Sequence, residues 1–228
     1  MERLPAYSND AALRTGLSTA DVAANRVLRN TYLLLAATLA FSALTAGTAL
    51  ALNLPHPGMI ITLVGYFGLL FAVTKTRNSA MGIAFVFALT GFMGYTLGPI
   101  LGYYLTAVPN GSSVVANAFG ITAITFTALS VYAVKSRRDF SFMRGFLVVG
   151  VLAAFLLGLA AIFFHMPMVS LAVSGLFVLL MSGMILWQTS DIVNGGETNY
   201  IMATVSLYVS LFNLFTSLLH LLGFSSED

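Results

Sequence analysis

The stretch GFLVVGVLAAFLLGLAAIFF, residues 145–164, runs for twenty residues without a charge. At about 1.5 Å of rise per residue it measures roughly 30 Å as a helix, the thickness of a bilayer's hydrocarbon core. Lys135, Arg137, Arg138 and Arg144 crowd its N-terminal side, while the turn beyond it begins with His165. It therefore reads as a membrane span with a basic end and a neutral end. Working outward, six further stretches have the same character: 31–52, 58–74, 80–106, 114–134, 169–188 and 200–222. The second is short and the third long. Gly98-Pro99 near the end of the third is expected to bend it or to turn its last part into a re-entrant loop.

Composition agrees with seven spans. Only 8% of the 228 residues are charged and 58% are hydrophobic, whereas a soluble domain carries about 25% charged residues. The basic residues fix an orientation. Arg3, Arg14, Arg26 and Arg29 precede or open the first span, Lys75 and Arg77 follow the second, and Lys135, Arg137, Arg138 and Arg144 separate the fourth from the fifth. With seven spans all ten lie on one side, as the positive-inside rule requires of the cytoplasmic face. The expected molecule is a multi-pass inner-membrane protein with a cytoplasmic N-terminus and a periplasmic C-terminus. Residues 1–26 are its cytosolic tail, polar and mobile to about Leu17, and residues 27–228 its transmembrane domain. The tail contains Glu2, Asp10 and Asp21 and no apolar core of leader-peptide length. Ser18-Thr19-Ala20-Asp21 resembles a helix start that continues into the first span.

Chemistry of the usual kinds is missing. There is no cysteine, which excludes thiolate ligands and a cysteine nucleophile. HExxH, GxSxG and Walker motifs are absent as well. His56, His165 and His220 fall in turns or near the end of a span, and no cofactor or metal is expected. No charge stands in the middle of a span, which argues against a pump or an ion-coupled transporter. A net charge of +2 gives no reason to expect nucleic acid. A homo-oligomer is left open.

Polar residues do form one pattern. Ser206, Ser210, Asn213 and Ser217 share a face of the last span, with Asn199 and His220 near its two ends. Such a face turns inward in a bilayer, as a packing seam or as a path. Asp191 and Glu197, in the segment after the sixth span, are placed to pair with Lys75, Arg77 or the Arg137–Arg138 cluster across the cytoplasmic mouth.

Several long strings resemble the Bax inhibitor-1 family, especially its bacterial members. They are Gly195-Gly196-Glu197-Thr198-Asn199-Tyr200-Ile201 with Ala203 to Leu211, Val27 to Tyr32, Gly94 to Leu101, and Arg138-Asp139-Phe140-Ser141-Phe142. The similarity runs from about residue 26 to the end. It implies an all-α integral membrane fold with six helices around a central C-terminal seventh. It also implies a regulator that binds and restrains FtsH, a membrane-anchored, ATP-dependent zinc protease, and is itself drawn in by its tail. The tail residues Met1, Glu2, Arg3, Asp10 and Arg14 would then meet the partner, which would hold the metal and the nucleotide.

A second family activity is a pH-sensitive calcium leak, gated by an aspartate pair between the sixth and seventh helices and latched by an arginine. The matching positions here are Gln188, Ser210 and Thr76, the last flanked by Lys75 and Arg77. Gln188 and Ser210 cannot titrate, so a diaspartyl gate is not expected to operate. Asp191, about one turn from Gln188, is the nearest substitute. Lys75, Arg77, Arg138 and Asp139 are the candidate latch.

Overall fold

A computed structural model describes residues 19–226. The tail positions Met1, Glu2, Arg3, Asp10 and Arg14, and the expected cap Ser18, lie outside the described residues. Within them the chain forms seven helices: α1 (Thr19–Ala51), α2 (Met59–Thr76), α3 (Ala80–Ala107), α4 (Gly111–Ser136), α5 (Arg144–Phe163), α6 (Pro167–Val193) and α7 (Tyr200–Phe224). A short 3-10 turn, Ser141–Met143, leads into α5. All seven helices are long and apolar enough to cross a membrane. The 18 residues of α2 reach about 27 Å and only just span the hydrocarbon. The 33 residues of α1 reach about 50 Å, so its first turns stand outside.

Lengths and breaks follow from local chemistry. The links carry residues that tolerate left-handed backbone: Asn53, Asn110 and Gly58, with Gly195 in the α6–α7 link. Arg137 and His165 adopt it without that excuse, at φ of 49° and 54°. Arg137 closes α4 by donating its N–H to the Ala133 carbonyl. Asn199 caps α7, its side-chain oxygen accepting from the N–H groups of Ile201 (3.0 Å) and Met202 (3.1 Å).

The seventh helix is the centre. It packs against α1, α2, α3, α4 and α6 and is the most buried of the spans. Leu207, Tyr208, Leu211, Leu214 and Leu218 of α7 join Leu35, Val73, Leu89, Ala118 and Ile185 in one core. The outer ring is uneven. Helix α5 leans on α6 through Leu147, Ala154 and Leu180 and meets α2 through the edge-to-face contact of Phe67 with Phe155, whose centroids are 6.3 Å apart.

The closest pairing is α1 with α3, and glycine makes it so. Gly91, Gly94 and Gly98 of α3 face Phe41, Ser42, Thr45, Ala46 and Ala49 of α1. A Cβ added to Gly98 would lie 2.6 Å from the Ala49 Cβ and 2.8 Å from the Ala46 carbonyl. Small residues in this arrangement let helix backbones approach inside lipid. The re-entrant loop expected at Gly98-Pro99 does not form: α3 continues through Pro99 to Ala107. Packing of the Gly98 turn onto α1 holds the segment helical past the missing N–H.

Candidate functional site

Gln188 and Ser210 are brought together. Both are buried, and the Ser210 hydroxyl lies 3.1 Å from Gln188 Oε1 and 3.0 Å from the Ser206 carbonyl. One hydroxyl hydrogen is shared between these two acceptors. The contact joins α6, five residues before its end, to α7, ten residues after its start, and it carries no proton that titrates in the ordinary range. Of the stripe on α7, Ser210 and Ser217 are buried, while Ser206 and Asn213 are half-buried. Asn213 donates to the Val209 carbonyl of its own helix at 2.8 Å and so is not part of that link.

Asp191 does not form the ion pairs foreseen for it. Among the described residues, none of Lys75, Arg77, Arg137 and Arg138 comes within ion-pair distance of it. The reason is that α6 runs on through Thr189 and Ser190, both buried, to Val193. Asp191 therefore stands on a helix end, where its carbonyl accepts from Gly196 at 2.8 Å and its carboxylate covers Gly196. The ion pair at this end is instead Arg137 with Asp21, at 3.1 Å and largely exposed, a class worth about 0–1 kcal/mol.

Of the latch candidates, Arg77 and Arg138 contribute backbone carbonyls, Lys75 and Asp139 side chains. Lys75 lies over the Phe71 ring, 6.0 Å from its centroid. The Arg77 carbonyl accepts from Asn199 Nδ2 at 3.0 Å, and Asn78 Oδ1 accepts from the same amide at 2.8 Å. The Arg138 carbonyl accepts from Ser190 Oγ at 2.7 Å and Asn194 Nδ2 at 3.3 Å, and Phe140 N–H donates to Ser190 Oγ at 3.3 Å. Asp139 accepts from the Ser141 N–H at 2.8 Å, which holds its carboxyl below the usual aspartate value. The α2–α3 turn and the α4–α5 loop are thus both stitched to the ends of α6 and α7 by neutral hydrogen bonds. Asn199 was visible in sequence as a polar residue opening the last span. Ser190 and Asn194 gave no signal beyond their spacing of one helical turn.

Asn199→Ala removes the α7 cap and the tie to Arg77 and Asn78 together. Caps contribute about 0.5–2 kcal/mol. The variant should melt several degrees below the parent in detergent, and Asn199→Asp, which keeps the cap oxygen but not the amide donors, should fall between them. An Asn199→Ala melt identical to the parent would refute this role.

A second buried polar tie was not foreseen. Tyr208 Oη lies 2.7 Å from Ser42 Oγ and donates to the Thr90 carbonyl at 3.3 Å, linking α7, α1 and α3. The histidines stand apart: His56 Nδ1 accepts from Gly58 N–H at 3.0 Å, His165 occupies its left-handed turn, and His220 Nδ1 lies 2.8 Å from Ser174 Oγ.

Seven apolar helices, five of them packed on a last helix that carries a buried polar contact and the sixth, α5, set outside on α6 rather than in the expected ring of six, define a multi-pass membrane protein without strands among the described residues. The chain belongs to the Bax inhibitor-1 family: the family model described as "Inhibitor of apoptosis-promoting Bax1" matches residues 24–227. Among individual proteins, it is 50% identical over 228 residues, the whole of both chains, to "Modulator of FtsH protease YccA" of Escherichia coli strain K12. The same identity and coverage relate it to "Inner membrane protein YccA" of Escherichia coli O6:H1. It is also 52% identical, over 202 residues, to an uncharacterized protein of Pseudomonas aeruginosa, covering 89% of this chain and 90% of that one.

Proposed function

We propose that this chain is a regulatory protein of the bacterial inner membrane that binds FtsH and restrains it, and that catalysis belongs to that partner. The observation that carries the proposal is end-to-end identity of 50%, with no segment of either chain left over, to a protein named as a modulator of FtsH. Residues 1–26, with Met1, Glu2, Arg3, Asp10 and Arg14, form the segment the protease grips, which makes the chain a substrate as well. The N-terminus is cytoplasmic and the C-terminus periplasmic. Support comes from the eight basic residues among the described ones, Arg26, Arg29, Lys75, Arg77, Lys135, Arg137, Arg138 and Arg144, which lie on or beside the helix ends that seven successive crossings would put on one side. There the neutral bonds from Asn199, Ser190 and Asn194 hold the loops as a preformed face.

The family's calcium leak is the weaker reading. An amide facing a hydroxyl offers neither the shared proton of a carboxylate pair nor the several charged oxygens that calcium prefers.

The test is a pull-down from native membranes together with a turnover assay. FtsH should co-purify, overproduction of the chain should slow degradation of a membrane substrate, and removal of residues 1–20 should protect the chain from proteolysis while leaving association intact. Failure to recover FtsH after crosslinking in native membranes would overturn the proposal.

A further inference from the structure

Helices α4 and α5 both pack on α6, yet no Cα of one comes within 8 Å of the other. Val173 and Leu180 of α6 lie against Gly158 and Gly150 of α5, and Gln188 turns to Ser210 of α7. A further face of α6 is left uncovered. Ala172, Leu176 and Leu179 on it are exposed and Leu186 is half-buried, at steps of four, three and seven. Ser190, one turn beyond Leu186, continues the same face. There the α4–α5 loop crosses it: the Ser190 hydroxyl donates to the Arg138 carbonyl at 2.7 Å and accepts from the Phe140 N–H at 3.3 Å. The face is therefore the floor of an apolar groove between α4 and α5, closed at its head by the loop. From Ser190 to Leu179 it descends about 16 Å, close to half of a hydrocarbon core of roughly 30 Å, the depth of one leaflet.

The head of the groove has the chemistry of a bilayer interface. The rings of Tyr132, Phe140 and Phe142 form a row across it, with successive centroids 6.1 and 6.4 Å apart. Tyr132 and Phe142 are 47% and 79% exposed, as aromatic side chains at headgroup level commonly are. Four cations and one acid lie between residues 135 and 144. Arg137 is taken up by Asp21, and Arg144 lies over the Trp187 ring, 5.5 Å from its centroid. The acid, Asp139, accepts from the Ser141 N–H. Lys135 and Arg138 are exposed and form no ion pair among the described residues. The other basic turn differs: Lys75 and Arg77 stand above α2 and α3, which pack directly on each other and leave no groove beneath them.

We propose that the α4–α5 groove holds one anionic phospholipid, with an acyl chain along Leu186, Leu179 and Leu176 and its phosphate between Lys135 and Arg138. Free cations at the head of an apolar groove one leaflet deep ask for a ligand that is anionic at one end and hydrocarbon at the other. An acidic peptide would match the cations but not the groove. The site is independent of the proposed action on FtsH.

Trp187 is the single tryptophan of the chain and follows Leu186 at the head of the groove, so its fluorescence reports which lipid stands there. With the full chain in vesicles, brominated phosphatidylglycerol should quench it several-fold more strongly than brominated phosphatidylcholine at equal mole fraction. Lys135→Gln with Arg138→Gln, which keeps the Arg138 carbonyl, should bring the two lipids to equality. Lys75→Gln with Arg77→Gln should leave the preference intact. Equal quenching of the parent by both lipids, or the same loss of preference in both double variants, would overturn the site. If the first variant does not fold, native mass spectrometry of the unmodified chain decides. One phosphatidylglycerol should stay bound per chain against excess phosphatidylethanolamine, and retention of both lipids in proportion to supply would count against the proposal.

Discussion

Gly94→Leu is expected to leave the chain unable to hold α1 against α3, so that little monodisperse protein survives extraction and what survives melts far below the parent. A Cβ at Gly94 would run into Thr45 Oγ1 and the Ser42 carbonyl, and neither can retreat cheaply. Thr45 already donates to that carbonyl at 2.9 Å. Ser42 Oγ is 2.7 Å from the Tyr208 hydroxyl, so shifting Ser42 also disturbs the tie to Thr90. Overpacking costs about 1–3 kcal/mol, and a buried polar partner left unmatched costs about 1–3 kcal/mol more. Against a total stability of about 5–15 kcal/mol, the sum is a large share. Gly68→Leu is the control, because a Cβ there meets nothing within 4 Å. The two variants should separate clearly in thermal unfolding and size-exclusion profiles; coincident melts would show that the α1–α3 seam is not closed by glycine.

The second large effect is a pH dependence that the parent's Gln188–Ser210 contact has no titratable group to provide. In Gln188→Asp with Ser210→Asp, one side chain shortens by a carbon and the other lengthens, so the two carboxyls meet where an amide now meets a hydroxyl at 3.1 Å. Two buried carboxylates in contact cannot both ionise cheaply, and one apparent pKa of the pair rises well above the unfolded value of about 3.9. A folded-state pKa raised in this way gives stability that is fully present below the unfolded pKa and lost as pH climbs through the raised value. Each unit of rise corresponds to about 1.4 kcal/mol, and burial can supply about 3 units. The double variant should therefore lose melting temperature steeply between about pH 4 and pH 8, relative to the parent over the same range. Parallel curves would mean that the two positions are not in contact.

The number of helices was legible because hydrocarbon tolerates little besides apolar side chains, and each break carries charge, Pro, Gly or Asn. The end of α6 was not. Gln188, Thr189, Ser190 and Asp191 look like a polar exit from the membrane, yet the helix continues to Val193 because Gln188, Thr189 and Ser190 are buried by neighbouring helices. Of the two outcomes expected at Gly98-Pro99, the re-entrant loop does not form, for a related reason: contact with α1 holds the turn helical through to Ala107. Of the candidate site, the inward face of α7 could be read from spacing alone for Ser210 and Ser217. The link between Ser42 and Tyr208 spans 166 positions, and no local periodicity reports on a contact of that range. Charge is conspicuous in an apolar chain and drew the reading to the side chains of Arg77 and Arg138, whereas the hydrogen bonds that join the loops use their carbonyls, which any residue could supply and no sequence pattern reports.

Helix α1 runs unbroken from Thr19 to Ala51. Mechanically it is a stiff rod with its outer turns protruding and its inner turns keyed into the glycine notches of α3. Among its outer turns Asp21 forms an exposed ion pair with Arg137. Traction on the outer turns would meet no slack loop to absorb it. The load would travel along the rod to the notch at Gly94, and α1 could not leave without dragging Ser42 from Tyr208 at the middle of the bundle. A pull on this end is therefore expected to meet its resistance at the α1–α3 seam and not along the rod.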